Sequence, residues 1–285
     1  AWKNNNWLRL GFLFMLASNY ITKTFFWVAH QQMFAVLTPL LCVYIGIIII
    51  QNNLSYKKTL FLTLGSGVLL LFYGNFLLLL PVILFSYLFK RKKQSNQPVF
   101  FSFFQALSVI CCFFLPTFLW MIYLKIIGVN YYSAEISSYR QFIWIIDSIK
   151  ISPVHFINAF YLNTLKFLKT SGSLYSSVII LMSILINKIF FRQTDENNSK
   201  TIFPDFDLLK FTLFIFILFF WLLGYYADRL TFSINPLLLI FTALMVNKEK
   251  ISSPLAYFLI ALFLGFYVYI FYFPAPHFSE YLFFS

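Results

Sequence analysis

Long apolar runs separated by short basic clusters are the feature that most constrains how this chain folds. Runs of this length predict membrane-spanning helices, and clusters of Lys and Arg between them predict cytoplasmic loops. Together they therefore predict both the class of fold and the orientation of the helices. The basic clusters are Lys57–Lys58, Lys90–Lys93, the group Lys188, Arg192 and Lys200, and the pair Lys248 and Lys250.

The composition extends this interpretation to the whole chain. Of 285 residues, 61% are hydrophobic and 11% are charged, with a mean hydropathy of +0.80. Soluble domains are about half apolar, and the excess here is not confined to one segment, so a single membrane anchor does not account for it. The net charge of +12 flanks the apolar runs, which favours a positive-inside membrane protein over a nucleic-acid-binding one.

The apolar runs are continuous and do not alternate with polar residues, which favours helices over the strands of a β-barrel. We therefore predict an all-α polytopic transmembrane helix bundle of about nine spans, forming a single domain over residues 1–285, with extracytoplasmic interfacial helices. The predicted spans are 7–21, 33–50, 59–72, 76–89, 99–124, 173–190, 206–225, 231–247 and 254–273.

Residues 59–89 predict a hairpin of two short helices. The segment is too long for one ordinary crossing, and basic clusters flank it on both sides, so the chain must cross an even number of times. Gly74 and Asn75 suit a turn between helices of about 14 residues, each roughly 21 Å long. Because helices this short do not cross an unperturbed bilayer, the hairpin is expected to sit against other helices or a wet cavity.

Residues 125–172 form one long extracytoplasmic segment in this topology. Apolar side chains recur at helical spacing in 139–149 and again in 153–169, among polar residues. Such amphipathic stretches predict helices that lie along the outer surface of the membrane.

Two polar groups on the predicted outer side are candidate substrate-binding residues. His30 and Gln31 stand at the outer mouth of the second span, where they suit a phosphate or a sugar but also ordinary solvation of a helix end. Tyr139, Arg140 and Gln141 open the first amphipathic helix. Arginine grips phosphate bidentately, although Arg140 equally suits lipid headgroups. The spacing of the His and Cys residues predicts no metal site.

Three segments carry a resemblance: 24–34, ending His-Gln-Gln-Met-Phe; 64–81, with Leu-Gly-Ser-Gly, Gly74-Asn75 and Pro81; and Trp120 followed by Tyr139-Arg140-Gln141-Phe142 and Trp144. In this order they resemble the polytopic C-type glycosyltransferases, the superfamily of protein O-mannosyltransferases, aminoarabinose transferases and bacterial relatives. That family has a short-helix hairpin with a Gly-rich first half and a Pro-containing second half, and the resemblance covers roughly residues 7–150.

The resemblance implies a multi-pass protein of the bacterial inner membrane that transfers a sugar from a polyprenyl-phosphate donor to a lipid or glycan acceptor. It further implies that His30 and Gln31 line the mouth of the active site and that Arg140 contacts the carrier phosphate. The family's catalytic carboxylate and a hairpin Lys have no counterpart here, so no catalytic residue is assigned. We expect the carboxylate upstream of Ala1, in a longer protein. No cofactor is expected, and a divalent cation is left open.

Two other functions remain open. A transporter or lipid-linked glycan flippase predicts charged residues facing inward and related halves, and neither pattern is visible. An O-antigen-type polymerase or ligase predicts basic and His residues concentrated on a long outer loop. The segment 125–172 meets that in part, with Arg140, Lys150, His155, Lys166 and Lys169.

Overall fold

A computed structural model describes residues 34–52, 54–94, 99–129, 142–170, 206–224, 232–234, 236–238 and 240–241. Throughout these ranges the secondary structure is helical, without strands, so the all-α prediction is confirmed for this part of the chain. The chain divides into two compact units. One comprises residues 34–171 and 204–237 and contains nearly everything described below; the other comprises 1–33, 172–203 and 238–285.

Glycines end two of the helices. Gly128 follows α4 with φ +75°, and Gly224 follows α7 with φ +77°, the left-handed conformation that commonly stops a helix. The α-helices are α1 (Phe34–Gln51), α2 (Tyr56–Leu70), α3 (Leu79–Gln94), α4 (Val99–Ile126), α5 (Ile143–Ile151), α6 (Pro153–Thr170) and α7 (Phe206–Leu222), with 3-10 helices at Gly74–Leu78 and Phe232–Ile234.

Among the described residues, one helix is long and apolar enough to cross a bilayer. It is the Phe103–Ile126 part of α4, with 24 residues, and little of its most apolar stretch is buried. Two shorter apolar segments, Leu37–Gln51 in α1 and Gly74–Phe89 leading through α3, accompany it.

The two predicted short helices and the turn between them are present. The first helix, α2, ends at Leu70, a turn follows at 71–73, and the 3-10 helix Gly74–Leu78 leads directly into α3. With 15 residues, α2 is about 23 Å long, which is shorter than the roughly 30 Å hydrocarbon core of a bilayer. Both helices lie against neighbours, since α2 packs along α4 and α3 packs along α1.

Small residues let α2 and α4 approach each other closely. Thr59, Thr63 and Gly67 recur every four residues and are buried. Each threonine hydroxyl donates to the carbonyl four residues earlier, at 3.2 Å and 2.7 Å, so neither leaves an unsatisfied donor at the contact. A Cβ on Gly67 would lie 2.0 Å from the carbonyl oxygen of Phe113. The spacing is the small-residue pattern of tightly packed membrane helices.

Packing contacts also give the relative direction of α1 and α3. Gly46 of α1 lies beside Leu208 and Ser86, which belong to α7 and α3, and at the opposite end Phe34 contacts Phe76. Therefore α1 and α3 run in the same direction, and the N-terminal part of α7 lies beside the later part of α1. The predicted topology requires α1 and α3 to share a direction, because 33–50 and 76–89 both lead inward.

The two amphipathic segments of 125–172 are helical as predicted, with shifted bounds. The first helix was expected from residue 139, but α5 begins at Ile143, because Phe142 adopts a left-handed conformation with φ 61° that is incompatible with a continuous helix. The second helix, α6, covers Pro153–Thr170. The predicted spans 7–21, 173–190 and 254–273, and most of 231–247, lie outside the described residues.

Candidate functional site

The predicted substrate-binding residues His30, Gln31, Tyr139, Arg140 and Gln141 all lie outside the described part of the chain. The structure does describe the residues that follow each group in sequence. Phe34 comes three residues after Gln31, and Phe142 directly follows Gln141. The contacts of Phe34 and Phe142 are therefore the described contacts nearest in sequence to the two predicted groups.

The half-buried Phe34 belongs to a cluster at the hairpin turn with the buried residues Tyr73, Asn75 and Phe76, and we call these four residues the turn cluster. The Phe34 ring centroid lies 6.2 Å from that of Tyr73 and 5.7 Å from that of Phe76. Tyr73 and Phe76 meet edge to face at 6.2 Å, a favourable geometry for aromatic pairs. The beginning of α1 is thereby packed onto the turn between α2 and α3.

A side-chain hydrogen bond inside the turn cluster satisfies its buried polar groups. The Asn75 Nδ2 donates to the Tyr73 hydroxyl oxygen at 2.9 Å, and both residues are buried. Burying an amide without such a partner costs several kcal/mol in an apolar environment. Sequence reasoning selected Asn75 as a turn residue but missed Tyr73. The available signal was a Tyr and an Asn two residues apart within an otherwise apolar run.

Phe142 anchors the start of α5 to the end of α7. Its backbone N–H donates to the Leu223 carbonyl at 3.1 Å, and its ring meets that of Phe219 at 5.4 Å. The Trp144 indole Nε1 donates to the Leu222 carbonyl at 3.0 Å. These donors satisfy carbonyls at a helix C-terminus that have no partner within the helix.

A second indole ties α6 to the same end of α7. The Trp221 Nε1 donates to Thr164 Oγ1 at 3.1 Å, and the Trp221 ring lies 4.8 Å from that of Phe160. Phe156 stacks at 6.3 Å on Trp144. We call these five residues, Trp144, Phe156, Phe160, Thr164 and Trp221, the α5–α7 cluster, because they join α5, α6 and α7. Sequence reasoning noted the apolar side of α6 but not its partner Trp221, because a contact across 57 residues leaves no local pattern.

Few charged groups accompany these clusters. Lys150 and His155 are exposed on α5 and α6, and Lys125 is exposed at the end of α4. Of the carboxylates predicted on the outer side, the structure describes Asp147, which is half-buried. Within the described ranges, no three His, Cys, Asp or Glu side chains come together as a metal site would require. Here the structure therefore offers aromatic surfaces, hydroxyls and amides, with cations at the edge.

Replacing Thr164 with valine should destabilise the attachment of α6 by about 1 to 2 kcal/mol, because the partly buried Trp221 N–H loses its acceptor while the side-chain volume stays similar. Unfolding of the purified protein measures the loss. In a double-mutant cycle with Trp221→Phe, we expect a coupling energy of about 1 kcal/mol. Strictly additive losses would contradict the hydrogen bond.

No protein-family model matches the chain, and comparison with curated proteins and with solved structures gave no match.

Proposed function

We propose that this protein is a polytopic membrane glycosyltransferase that moves a sugar from a polyprenyl-phosphate donor to a lipid or glycan acceptor on the extracytoplasmic side. One observation carries the proposal. The short-helix hairpin packs its turn, through Tyr73 and Phe76, against Phe34 at the beginning of α1. Phe34, the last residue of the first segment on which the family resemblance rests (24–34), thus contacts the turn inside the second segment (64–81).

The proposal places the chain in the bacterial inner membrane with about nine spans. Helix α4 suits the bilayer because its large apolar side chains, such as Phe103 and Phe118, are more than half exposed, whereas a core helix of a soluble protein is mostly buried. Several buried hydroxyls donate to the backbone of their own helix, as Thr63 does to Thr59 and Ser86 does to Val82, both at 2.7 Å, whereas the buried Ser233 hydroxyl has no partner among the described residues. Such local satisfaction is what a bundle in hydrocarbon needs.

The predicted outer side of the described unit then carries the candidate chemistry. The predicted topology puts the turn cluster and the C-terminal end of α7 on the outer side. His30 and Gln31 are proposed to line the mouth of the active site on that side. Arg140, two residues before the anchored Phe142, is proposed to contact the donor phosphate.

In the reaction, the acceptor hydroxyl oxygen attacks the anomeric carbon of the donor sugar. A carboxylate, proposed to lie upstream of Ala1, takes the hydroxyl proton, and the bond from the anomeric carbon to the phosphate oxygen breaks. The polyprenyl phosphate leaves with the electron pair of that bond. Arg140 would stabilise the charge that develops on the phosphate, because a guanidinium forms two parallel hydrogen bonds with it.

The test is transfer of a labelled sugar from synthetic polyprenyl-phosphate donor by the full-length protein in proteoliposomes. Arg140→Ala is expected to reduce transfer about 10- to 100-fold, since a hydrogen bond to a charged group is worth roughly 1.5 to 3 kcal/mol. Arg140→Lys should retain part of the activity, because it keeps the charge but loses the bidentate geometry.

Lys125→Ala is the matched control, because Lys125 is an exposed cation that the predicted topology also puts on the outer side, and its loss should leave transfer unchanged. Donor use by Arg140→Ala equal to that of the unmodified protein would refute the role of Arg140. The absence of transfer from any polyprenyl-linked sugar by the unmodified protein would refute the function itself.

A further inference from the structure

Helix α6 carries two adjacent apolar faces, and α7 covers the end of only one of them. The covered face contains Phe160 and Thr164, which contact Trp221. The second face is solvent-exposed. It consists of Val154, Ile157, Tyr161 and Leu165, which are 68%, 64%, 61% and 37% exposed.

The spacing of the exposed residues makes the second face continuous. Positions 154, 157, 161 and 165 follow the three- and four-residue steps of one helix side, which we call the exposed stripe. At roughly 100° per residue, the stripe lies between the covered face and a polar edge. The polar edge is formed by His155, Asn158 and Lys166, all exposed, with one exposed apolar residue, Leu162, among them. Around α6, the face covered by α7 is therefore followed by the exposed stripe and then by a mainly polar edge.

Helix α5 also has exposed apolar side chains. Ile146, Ile149 and Ile151 are 56%, 56% and 66% exposed, next to the exposed Lys150. Exposed apolar patches such as the stripe of α6 mark interaction sites. In α5 and α6 the exposed apolar residues are accompanied by lysines and a histidine, with Asp147 as the one carboxylate.

The positive charge of the lysines beside the exposed apolar residues indicates which partner covers them. A second copy of this chain seated on the stripe would bring lysines against lysines. A bilayer with anionic headgroups offers hydrocarbon to the stripe and negative charge to the edge, which is the partner that basic amphipathic helices fit.

We propose that α5 and α6 lie in the plane of an anionic bilayer surface, with the exposed stripe in the acyl region and the polar edge among the headgroups. The inference rests on the membrane placement given under the proposed function, and it deepens that function. It puts Phe142, where α5 begins, at the depth at which the phosphate of a lipid-linked donor lies. The C-terminal end of α7, bonded to Phe142 and Trp144, sets the same depth.

The experiment attaches spin labels to single cysteines in the full-length protein in nanodiscs that contain phosphatidylglycerol. Cys111 and Cys112 are replaced by alanine, and the buried Cys42 is kept because it does not react. Labels at Ile157→Cys and Tyr161→Cys test the stripe, Asn158→Cys tests the polar edge, and Phe118→Cys on α4 controls for insertion. The readout is collision with lipid-soluble oxygen against a water-soluble nickel chelate.

We expect the labels at 157 and 161 to favour oxygen, at a depth of about 5 to 10 Å, and the label at 158 to favour the chelate. In phosphatidylcholine alone, the stripe labels should become more accessible to the chelate, because the cations lose their partner; equal depth in both lipids would refute the anionic preference. Stripe labels that are as accessible to the chelate as the label at 158, or shielded from both reagents, would overturn the inference. If the Phe118 label still favours oxygen, the proposed function stands. A Phe118 label accessible to the chelate would overturn the membrane placement and both proposals with it.

Discussion

Replacing Gly67 with alanine is expected to lower the free energy of unfolding by about 3 kcal/mol, because the new methyl group has no space. Its Cβ would lie 2.0 Å from the Phe113 carbonyl oxygen and 2.9 Å from the Phe113 carbonyl carbon. Both atoms belong to the backbone of α4, so no side-chain rotation relieves the overlap. The two helices must separate, and the contacts of Thr59 and Thr63 along the same side weaken with them.

The measurement is the melting temperature of the purified protein in detergent, for which we expect a fall of roughly 5 to 10 °C. Gly65→Ala is the matched control on the same helix, because nothing lies within 4 Å of the Cβ that it would add. There we expect a gain of about 0.5 to 1 kcal/mol, since alanine is the better helix former. Equal effects at the two glycines would contradict the close approach of α2 and α4.

This contact also shows how much of the fold could be predicted from the sequence. The hairpin followed from charge and length, since basic clusters on both sides of an over-long apolar run require two helices. The partner of each helix did not follow. Nothing in the spacing of Thr59, Thr63 and Gly67 indicates that Gly67 faces Phe113, because the choice among apolar surfaces depends on the shapes of segments distant in sequence.

The candidate site divides in the same way. Polar residues at predicted helix ends drew attention to His30 and Arg140, because such positions are conspicuous in an apolar chain. Tyr73 and Trp221 attracted none, since an aromatic residue in an apolar run predicts only core or lipid contact. Their roles depend on one long-range or turn-specific hydrogen bond each, to Asn75 and Thr164. A local sequence pattern predicts where a side chain can be polar, but not which partner it finds.

Gly224→Ala is expected to detach α5 and α6 from α7. It should lower the free energy of unfolding by about 3 kcal/mol, and this loss has two physical origins. Gly224 has φ +77°, a conformation that costs an alanine roughly 1 to 2 kcal/mol. In addition, the new Cβ would lie 2.1 Å from Trp144 Cδ1 and 2.5 Å from Nε1. The indole must move, and its hydrogen bond to the Leu222 carbonyl breaks.

Gly128→Ala separates the two origins. Gly128 follows α4 with φ +75°, and nothing lies within 4 Å of the Cβ that alanine would add. Gly128→Ala is therefore destabilised by the backbone conformation alone, without a steric clash. The difference between the two variants in unfolding free energy measures the contact with Trp144, for which we expect about 1 to 2 kcal/mol. Equal losses would mean that Trp144 does not pack on Gly224. A larger loss at Gly224 that disappears in a Trp144→Ala background would establish the contact as the joint between α5 and α7. If the proposed function holds, sugar transfer should fall with it, because that joint positions the segment containing Arg140.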